Sequence, residues 1–279
     1  MVIAIGNTLV DQLIEVTKLP KSGQKSGGHC SSAAPGGGAA NSAVVAAACG
    51  ARTRLYTRLG EDDYGQLLKE NYQQLRIDLE LQSCRQTPGS LVFVDPQGER
   101  TLLTLKPILE PDPTELRFPI SEPDDYVLVY AHSHQTRSAY AAAAQGKLVL
   151  PGHYLQAELE AGAHWDIVLA SADETAAPSL EELQALGTEL FVLTAGAAGG
   201  SYWNSQGWHD FQSLPLSATD IIDTCGAGDA FAGGVLAGLD LGMSHSEAIS
   251  LGVAEGGSCV QRRGAWPEVP YPLPPLLPG

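Results

Sequence analysis

Short apolar runs alternate along the chain with longer segments in which apolar residues recur every three or four positions. Runs of about four to eight apolar residues are typical of buried strands, and recurrence every three or four positions is typical of helices. The pattern predicts strands at 2–5, 126–130, 147–150, 166–170 and 189–194. It predicts helices at 42–49, 64–75, 230–241 and 244–262. This alternation of strands and helices indicates an α/β fold.

Weaker patterns fill the rest of the chain. Shorter strands are predicted at 78–81, 90–94 and 101–105. A turn at 96–99 joins the last two strands. Residues 18–32 are polar, which predicts a loop or the edge of a lid. Residues 106–125, rich in proline and acidic side chains, are predicted as a linker or surface loop, and 267–278 as an extended, exposed tail.

Length and composition fit one globular domain over residues 1–279, with 44% hydrophobic and 17% charged residues. The 32 acidic residues outnumber the 16 basic ones, which gives a formal charge of −16. Because nucleic acids and anionic membranes are bound through clusters of lysine and arginine, we expect neither as a partner. A phosphorylated ligand is compatible with this charge because it needs only a local site.

Cysteine usage indicates a reducing compartment. The five cysteines are an odd number without Cys-x-x-Cys spacing, and we interpret them as reduced thiols of a cytoplasmic protein. The apolar start at 1–6 is too short for a signal peptide and has no basic lead-in. No apolar run reaches the roughly 18 residues that a membrane span needs.

Residues 223–229, Asp-Thr-Cys-Gly-Ala-Gly-Asp, join two isoleucines to the next predicted helix. The first N–H groups of a helix have no partner within it, and the helix dipole makes that end partly positive. Gly226 and Gly228 let the main chain approach an anion closely, and Asp229 could take a proton from a hydroxyl that attacks phosphorus. An ordinary tight turn with Asp229 as a capping residue explains the same pattern. Cys225 is either a small filler or a thiol of lowered pKa.

A second glycine-rich stretch, Pro-Gly-Gly-Gly-Ala-Ala-Asn at 35–41, precedes the alanine-rich helix. Gly36 and Gly37 again allow close approach of a ligand, and Asn41 can both donate to and accept from a hydroxyl. Asp11 lies just beyond the first strand, where α/β folds bind their ligands. An exposed loop aspartate explains Asp11 equally well.

The two glycine-rich stretches resemble the signatures of one family. Residues 223–231 resemble the second signature of the ribokinase (PfkB) family of carbohydrate kinases. Residues 36–43, Gly-Gly-x-x-x-Asn-x-Ala, resemble the first signature, which continues through Gly50 and 58–65. The resemblance covers nearly the whole chain.

The resemblance implies a three-layer α/β/α sandwich with a mostly parallel central sheet and a small β-sheet lid. It implies that the lid comes from two separate segments, about 12–34 and 78–105. A lid suits a kinase because exclusion of water prevents hydrolysis of ATP. Relatives commonly form dimers through this lid, so a homodimer is expected.

The resemblance also implies roles for individual residues. In the family, the last aspartate of the second signature is the catalytic base, and the Gly-Ala-Gly amides hold the transferred phosphoryl group. The implied residues are Asp229, Gly226, Ala227 and Gly228 for catalysis; Asp11, Gly36, Gly37 and Asn41 for the sugar; Thr194, Gly196, Gly199 and Glu174 for ATP; Glu174 for Mg²⁺, through water; and Asp223 for a monovalent cation such as K⁺.

The chain departs from the family pattern in two places. Ser171 stands where the family has asparagine in its Asn-x-x-Glu element. The Asp-x-Asn-x-Arg segment that many members carry after the strand at 147–150 is absent, and Pro-Gly-His-Tyr at 151–154 stands there. The second departure bears on the substrate more than on the reaction. Because a serine hydroxyl can still hold a water, we expect the first to leave a working but altered Mg²⁺ site.

The resemblance implies ATP-dependent phosphorylation of a primary hydroxyl of a sugar or sugar derivative. A nucleoside kinase is an alternative, although Phe93 is the one aromatic residue on the predicted lid strands. A kinase of a phosphorylated or sulfonated ketose is another, with Arg58 or Arg100 as the anion-binding residue. A ligand-binding homologue with weak catalysis is the third. His132 and His134 are interpreted as loop histidines rather than metal ligands.

Overall fold

The computed structural model describes residues 1–96, 100–105 and 120–275. The strands are β1 (Val2–Ile5), β2 (Leu9–Val16), β3 (Gly28–Gly36), β4 (Thr53–Gly60), β5 (Asp78–Cys84), β6 (Gly89–Val94), β7 (Arg100–Leu105), β8 (Tyr126–Val129), β9 (Lys147–Pro151), β10 (Ile167–Ser171), β11 (Leu190–Thr194), β12 (Gly200–Asn204) and β13 (Gly207–Phe211). The helices are α1 (Gly38–Ala48), α2 (Asp63–Gln74), α3 (His134–Ala143), α4 (Leu155–Ala161), α5 (Leu180–Leu186), α6 (Ala227–Asp240) and α7 (His245–Cys259).

Nine strands form one large sheet in the order β13-β12-β11-β10-β9-β8-β1-β4-β5. The seven strands from β11 to β5 in that order pair in parallel, and β12 and β13 continue the sheet antiparallel. The central strands are apolar and buried on both faces, as a covered parallel sheet requires. The predicted α/β fold with a mostly parallel sheet is confirmed.

Helices cover both faces of the large sheet. Ile3 and Ile5 of β1 point to one face, where they share a core with Leu155 of α4 and Leu183 of α5. Ala4 points to the other face and packs in a core formed with α1 and α2. Because α6 and α7 lie on that second face as well, the molecule has three layers, α/β/α.

Small residues bring α6 close to its neighbours on this second face. A Cβ atom at Gly233 would press on the α1 backbone at Ser42 and on Val45, and one at Gly234 would press on α7 at Gly252. These glycines therefore have a packing function inside the helix, where glycine otherwise costs about 1 kcal/mol relative to alanine. The close packing fixes the starts of α1 and α6 beside each other.

Four further strands form a separate small sheet in the order β3-β2-β6-β7. β2 pairs antiparallel with β3 and parallel with β6, and β6 pairs antiparallel with β7. This sheet corresponds to the predicted small β-sheet.

The two predicted lid segments need correction. The strand predicted at 78–81 forms as β5, but it pairs with β4 in the large sheet and is not part of the small one. The small sheet also begins earlier than residue 12, at Leu9, and β3 occupies 28–36, so that the loop predicted at 18–32 ends at residue 27. β3 contains two serines, two alanines, two glycines and a proline among its nine residues, and so carries too weak a hydrophobic pattern to indicate a strand.

Other predicted elements are close to the observed ones. The helix predicted at 64–75 begins one residue earlier, with Asp62 as its N-cap accepting from the Gly65 N–H at 2.8 Å. Three predicted segments lie mostly or partly outside the described residues: the turn at 96–99, the linker at 106–125 and the end of the tail at 267–278. In the described part of the chain, every helix is too short or too polar to cross a membrane.

Candidate active site

Asp229 lies in the first turn of α6, next to the start of α1. Gly226 caps α6 with a left-handed backbone, φ 78°, and so allows the sharp entry into the helix. The Asp229 Oδ2 atom accepts a hydrogen bond from the Asn41 side-chain amide at 2.9 Å. The Oδ1 atom accepts one from the Tyr130 hydroxyl at 2.8 Å. Each carboxylate oxygen therefore has its own donor, which fixes the plane of the carboxylate.

Burial raises the pKa of Asp229 above its ordinary value, because desolvation disfavours the charged form. The hydrogen bonds from Asn41 and Tyr130 oppose this shift, as does the nearby His153, while the charge of Glu174 adds to it. A carboxylate with a raised pKa is a stronger base than an exposed one, and its two donors favour the ionised form that accepts a proton.

Two further hydrogen bonds hold the start of α1 at this point, one from the segment after α7 and one to α6. The Trp266 indole N–H donates to Asn41 Oδ1 at 3.1 Å, which directs the amide NH₂ group of Asn41 toward Asp229. The Ser42 hydroxyl donates to the backbone carbonyl of Asp229 at 3.1 Å. The first signature and the second signature therefore meet at one carboxylate.

The main chain before Asp229 has the geometry of an anion site. A Cβ atom at Gly226 would collide with Ala265, whereas one at Gly228 would meet no atom within 4 Å. Gly226, the N-cap residue of α6, has no side chain that could cap the first turn. The first-turn amides and the helix dipole thus border open space at Gly228, where a negatively charged group would be stabilised.

The Asp223 side chain connects the turn before α6 to the segment after α7 by two hydrogen bonds. Its Oδ1 atom accepts from the Cys225 N–H at 2.8 Å, and its Oδ2 atom accepts from the Gly264 N–H at 3.1 Å. The two isoleucines before it form no strand and are largely exposed, although the backbone of Ile221 is extended. The segment that leads into this turn is therefore a loop.

Asp11 and the first glycine turn also lie together. Asp11 is on β2 between β3 and β6, and the Ser90 hydroxyl donates to its Oδ1 atom. A Cβ atom at Gly36 would overlap the Asp11 carboxylate, and one at Gly37, where φ is 102°, would overlap the carbonyl oxygen of Asn7. Only glycine fits at these two positions, and the turn leads within one helical turn to Asn41.

The residues predicted for ATP lie at the carboxyl ends of β10 and β11, where Ser171 is in register with Thr194. The Thr194 hydroxyl donates to the Ala170 carbonyl at 3.2 Å. Gly196 and Gly199 both have positive φ, 54° and 88°, in the tight turn that follows. Glu174 is exposed in the turn just after β10, and its charge acts on Asp229. Glu174 therefore lies at the same edge of the sheet as Asp229.

A wide cleft separates the small sheet from the turn before α6, with a volume of about 1110 Å³. Its lining includes Val16 and His29 of the small sheet and Ile222, Thr224 and Arg263 of the large domain. The small sheet therefore stands beside the second signature, as a lid would.

Arg58, one of the two arginines predicted for an anionic substrate, is not brought to Asp229. Arg58 donates to Gln82 Oε1 at 2.9 Å and lies on the face of β4 that carries Tyr56, on the opposite side of the sheet from α1 and α6. The side chain of Arg100 lies outside the described part. His134 Nδ1 lies 2.9 Å from Glu158 Oε1. The described residues contain no group of three or more His, Cys, Asp or Glu side chains arranged for a metal.

Sequence reasoning missed Tyr130 and His153. Tyr130 was predicted only as the end of a strand, and His153 only as part of the segment that replaces the family's Asp-x-Asn-x-Arg. Both follow parallel strands at their carboxyl ends, β8 and β9, which is the one sequence signal that pointed to this edge.

The fold and the site together define an α/β protein of the ribokinase-like class. A model of the pfkB family carbohydrate kinases matches residues 1–270. The chain belongs to this family. Ribokinase from Thermotoga maritima superposes with a TM-score of 0.79 at 22% identity, covering 95% of this chain and 94% of that one. Fructokinase from Vibrio cholerae O395 gives 0.71 at 23% identity, over 96% of this chain and 95% of that one.

Curated relatives match over parts of their length. Fructoselysine 6-kinase from Escherichia coli is 36% identical over 107 residues, 37% of this chain and 40% of that protein. Cytidine kinase from Thermococcus kodakarensis is 34% identical over 84 residues, 30% of each chain. The matched segment thus spans less than half of either relative. Ribokinase from Arabidopsis thaliana is 25% identical over an alignment of 306 positions that covers 96% of this chain and 78% of that one.

Proposed function

We propose that the chain is an ATP-dependent kinase that phosphorylates a primary hydroxyl of a sugar or sugar derivative. The observation that carries the proposal is the Asp229 carboxylate, held by Asn41 and Tyr130 beside the open first turn of α6. A base next to an anion site is what transfer of a phosphoryl group to an alcohol needs.

The chain's own residues supply two effects. Asp229 accepts the proton of the acceptor hydroxyl as the hydroxyl oxygen bonds to the γ-phosphorus of ATP, the bond from that phosphorus to the β,γ-bridging oxygen breaks, and ADP leaves. The amides of Gly226, Ala227 and Gly228 stabilise the charge on the transferring group, an effect commonly worth about 3–4 kcal/mol for one donor.

The residues present fit ATP with Mg²⁺. The tight turn with Gly196 and Gly199 leaves space above Gly196, where a Cβ atom would meet no atom within 4 Å. Glu174 offers an exposed carboxylate at the same edge, and Mg²⁺ is commonly held by one or two carboxylates together with substrate phosphates and water. When bound, Mg²⁺ would neutralise phosphate charge. Asp223 is our candidate for a bound monovalent cation such as K⁺.

The acceptor end of the site is built from Asp11, Gly36, Gly37 and Asn41. Because Asn41 already donates to Asp229, we propose that it aligns the base as well as the sugar. Relatives named as kinases of fructoselysine and of cytidine support two acceptor classes, a sugar derivative first and a nucleoside second.

Assembly and compartment are part of the same proposal. We propose a homodimer formed through the small sheet, because Leu102 and Leu103 on its outer strand β7 are 56% and 53% exposed. We propose a cytoplasmic location, because none of the five cysteines, all within the described residues, forms a disulfide.

The direct test is ADP formation from ATP and Mg²⁺ with a panel of sugars, sugar–amine conjugates, nucleosides and sugar phosphates, with the products identified by mass spectrometry. We expect ADP to form only with an acceptor and the best acceptor to be a sugar or sugar derivative. Absence of ADP across the panel, combined with tight binding of one compound, would instead identify a ligand-binding homologue.

A further inference from the structure

Tyr130 is the first residue after β8, and its side chain reaches the carboxylate of Asp229. The hydroxyl donates to Oδ1 at 2.8 Å, while Asn41 donates to Oδ2 at 2.9 Å. A carboxylate oxygen has two lone-pair sites, so one site on each oxygen remains for a substrate hydroxyl. The two donors together decide which way those remaining sites face.

The ring of Tyr130 is held from two sides. A Cβ atom at Gly38, the first residue of α1, would overlap the ring, so the helix backbone lies against it. On the other side, the His153 ring has its centroid 5.8 Å from that of Tyr130. A ring packed in this way has little freedom to turn its hydroxyl away from Asp229.

A buried ion pair holds the loops that carry Tyr130 and His153. Arg137 is 1% exposed and pairs with the fully buried Glu158, with its Nε atom 2.6 Å from Oε1. Its Nη1 atom donates to the carbonyl oxygens of Ala131 at 2.6 Å and His132 at 2.8 Å, directly after Tyr130. The guanidinium also lies 4.3 Å from the ring centroid of Tyr154, the neighbour of His153. One arginine therefore connects the loops after β8 and β9.

We propose that Tyr130 is a positioning residue for the Asp229 base, held in place by the Arg137–Glu158 pair and by His153. The inference rests on the proposed function, since it assigns a role relative to a base. Neither signature contains Tyr130, and the segment with His153 stands where many family members carry a different sequence.

The charged and titratable groups that act on Asp229 come from three elements: Tyr130 after β8, His153 after β9 and Glu174 after β10. Cys259 of α7 also faces Asp229; burial raises the pKa of its thiol, and the charge of Asp229 adds to that shift. Burial and the charge of Asp229 raise the pKa of Tyr130 well above its ordinary value, so that it remains a hydroxyl donor at working pH. Burial lowers the pKa of His153, so its ring is mostly neutral near pH 7. Tyr130 therefore remains a donor across the range in which Asp229 titrates.

The test compares Tyr130→Phe with a control, Tyr126→Phe. Tyr126 is the first residue of β8, so the control also removes a tyrosine hydroxyl, but at the other end of the strand. Removal of a donor to a carboxylate raises the carboxylate pKa, so less base is ionised at low pH. We expect the acid limb of the kcat–pH profile of Tyr130→Phe to move up by about one pH unit, and kcat below that limb to fall about tenfold. The KM for ATP should stay within about twofold, and Tyr126→Phe should follow the parent profile.

An unchanged profile for a folded Tyr130→Phe enzyme overturns the inference, provided that Asp229→Asn abolishes turnover in the same assay. If Asp229→Asn retains turnover, the proposed function itself fails. If Tyr130→Phe is unfolded at the assay temperature, His153→Ala is measured in its place. Loss of the ring that supports Tyr130 predicts an upward shift of the same limb, and an unshifted limb in that variant contradicts the inference.

Discussion

The two glycine-rich helix starts look alike in the sequence but differ in the structure. At α1, Gly36, Gly37 and Gly38 are pressed against Asp11, Asn7 and Tyr130. At α6, Gly226 is packed against Ala265, but Gly228 borders open space. A glycine run before a helix can therefore serve close packing or ligand approach, and the atoms around each glycine distinguish the two uses. In this molecule α1 positions the site, and α6 supplies the place where an anion fits.

The largest stability loss is expected from the closed turn. Gly37→Ala introduces a Cβ atom against the Asn7 carbonyl at a φ of 102°, and left-handed strain and overpacking together should lower the free energy of unfolding by about 3 kcal/mol. Chemical denaturation measures the change. The control is Gly50→Ala, which has a similar φ of 94° and no neighbouring atom within 4 Å, so it should cost only about 1 kcal/mol. Equal losses in both variants would show that strain alone matters and that the turn is not closed by contact.

A smaller loss is expected where the two helix starts meet. Asn41→Leu removes the donor to Asp229 and leaves the buried Trp266 indole N–H without its acceptor, at a cost of about 2 kcal/mol. A double-mutant cycle with Trp266→Phe separates the two effects. We expect a coupling energy of about 1 kcal/mol between these positions. Full additivity would contradict the idea that Trp266 orients Asn41.

The open turn should tolerate substitution. Gly228→Ala adds a methyl group to open space in the first turn of α6, and alanine favours helix, so the free energy of unfolding should change by less than about 1 kcal/mol. Its effect should instead fall on phosphoryl transfer, with kcat/KM for ATP reduced at least about tenfold. Calorimetry and steady-state kinetics on one preparation check both. Unchanged kinetics would mean that the space at Gly228 is not where the phosphates lie.

The buried strands, most helices and the two signatures could be predicted because each has a local pattern. The resemblance implied that Asn41 and Asp229, 188 positions apart, serve one site, but it did not predict the hydrogen bond between them. β5 was assigned to the wrong sheet because a strand's own residues do not specify its partner. β3 was missed in part because serine and alanine give little hydrophobic contrast.

The side chains that complete the site could not be predicted. Tyr130, His153, Arg137 and Glu158 come from four places in the fold, the loops after β8 and β9 and the helices α3 and α4, and have no spacing that a motif could record. Their contact depends on tertiary packing of loops after adjacent strands. Arg58 could not be placed from the sequence either, because the position of a residue on a strand does not specify which side of the sheet it faces.

The central claim is that Asp229 removes the proton of the acceptor hydroxyl. The most direct measurement is the turnover of Asp229→Asn with ATP and the best acceptor, beside Asp210→Asn, an exposed aspartate on β13. The account predicts a fall of at least about 100-fold for Asp229→Asn, with binding of both substrates nearly intact, and parent-like turnover for Asp210→Asn. Near-parental turnover of a folded Asp229→Asn enzyme would contradict it.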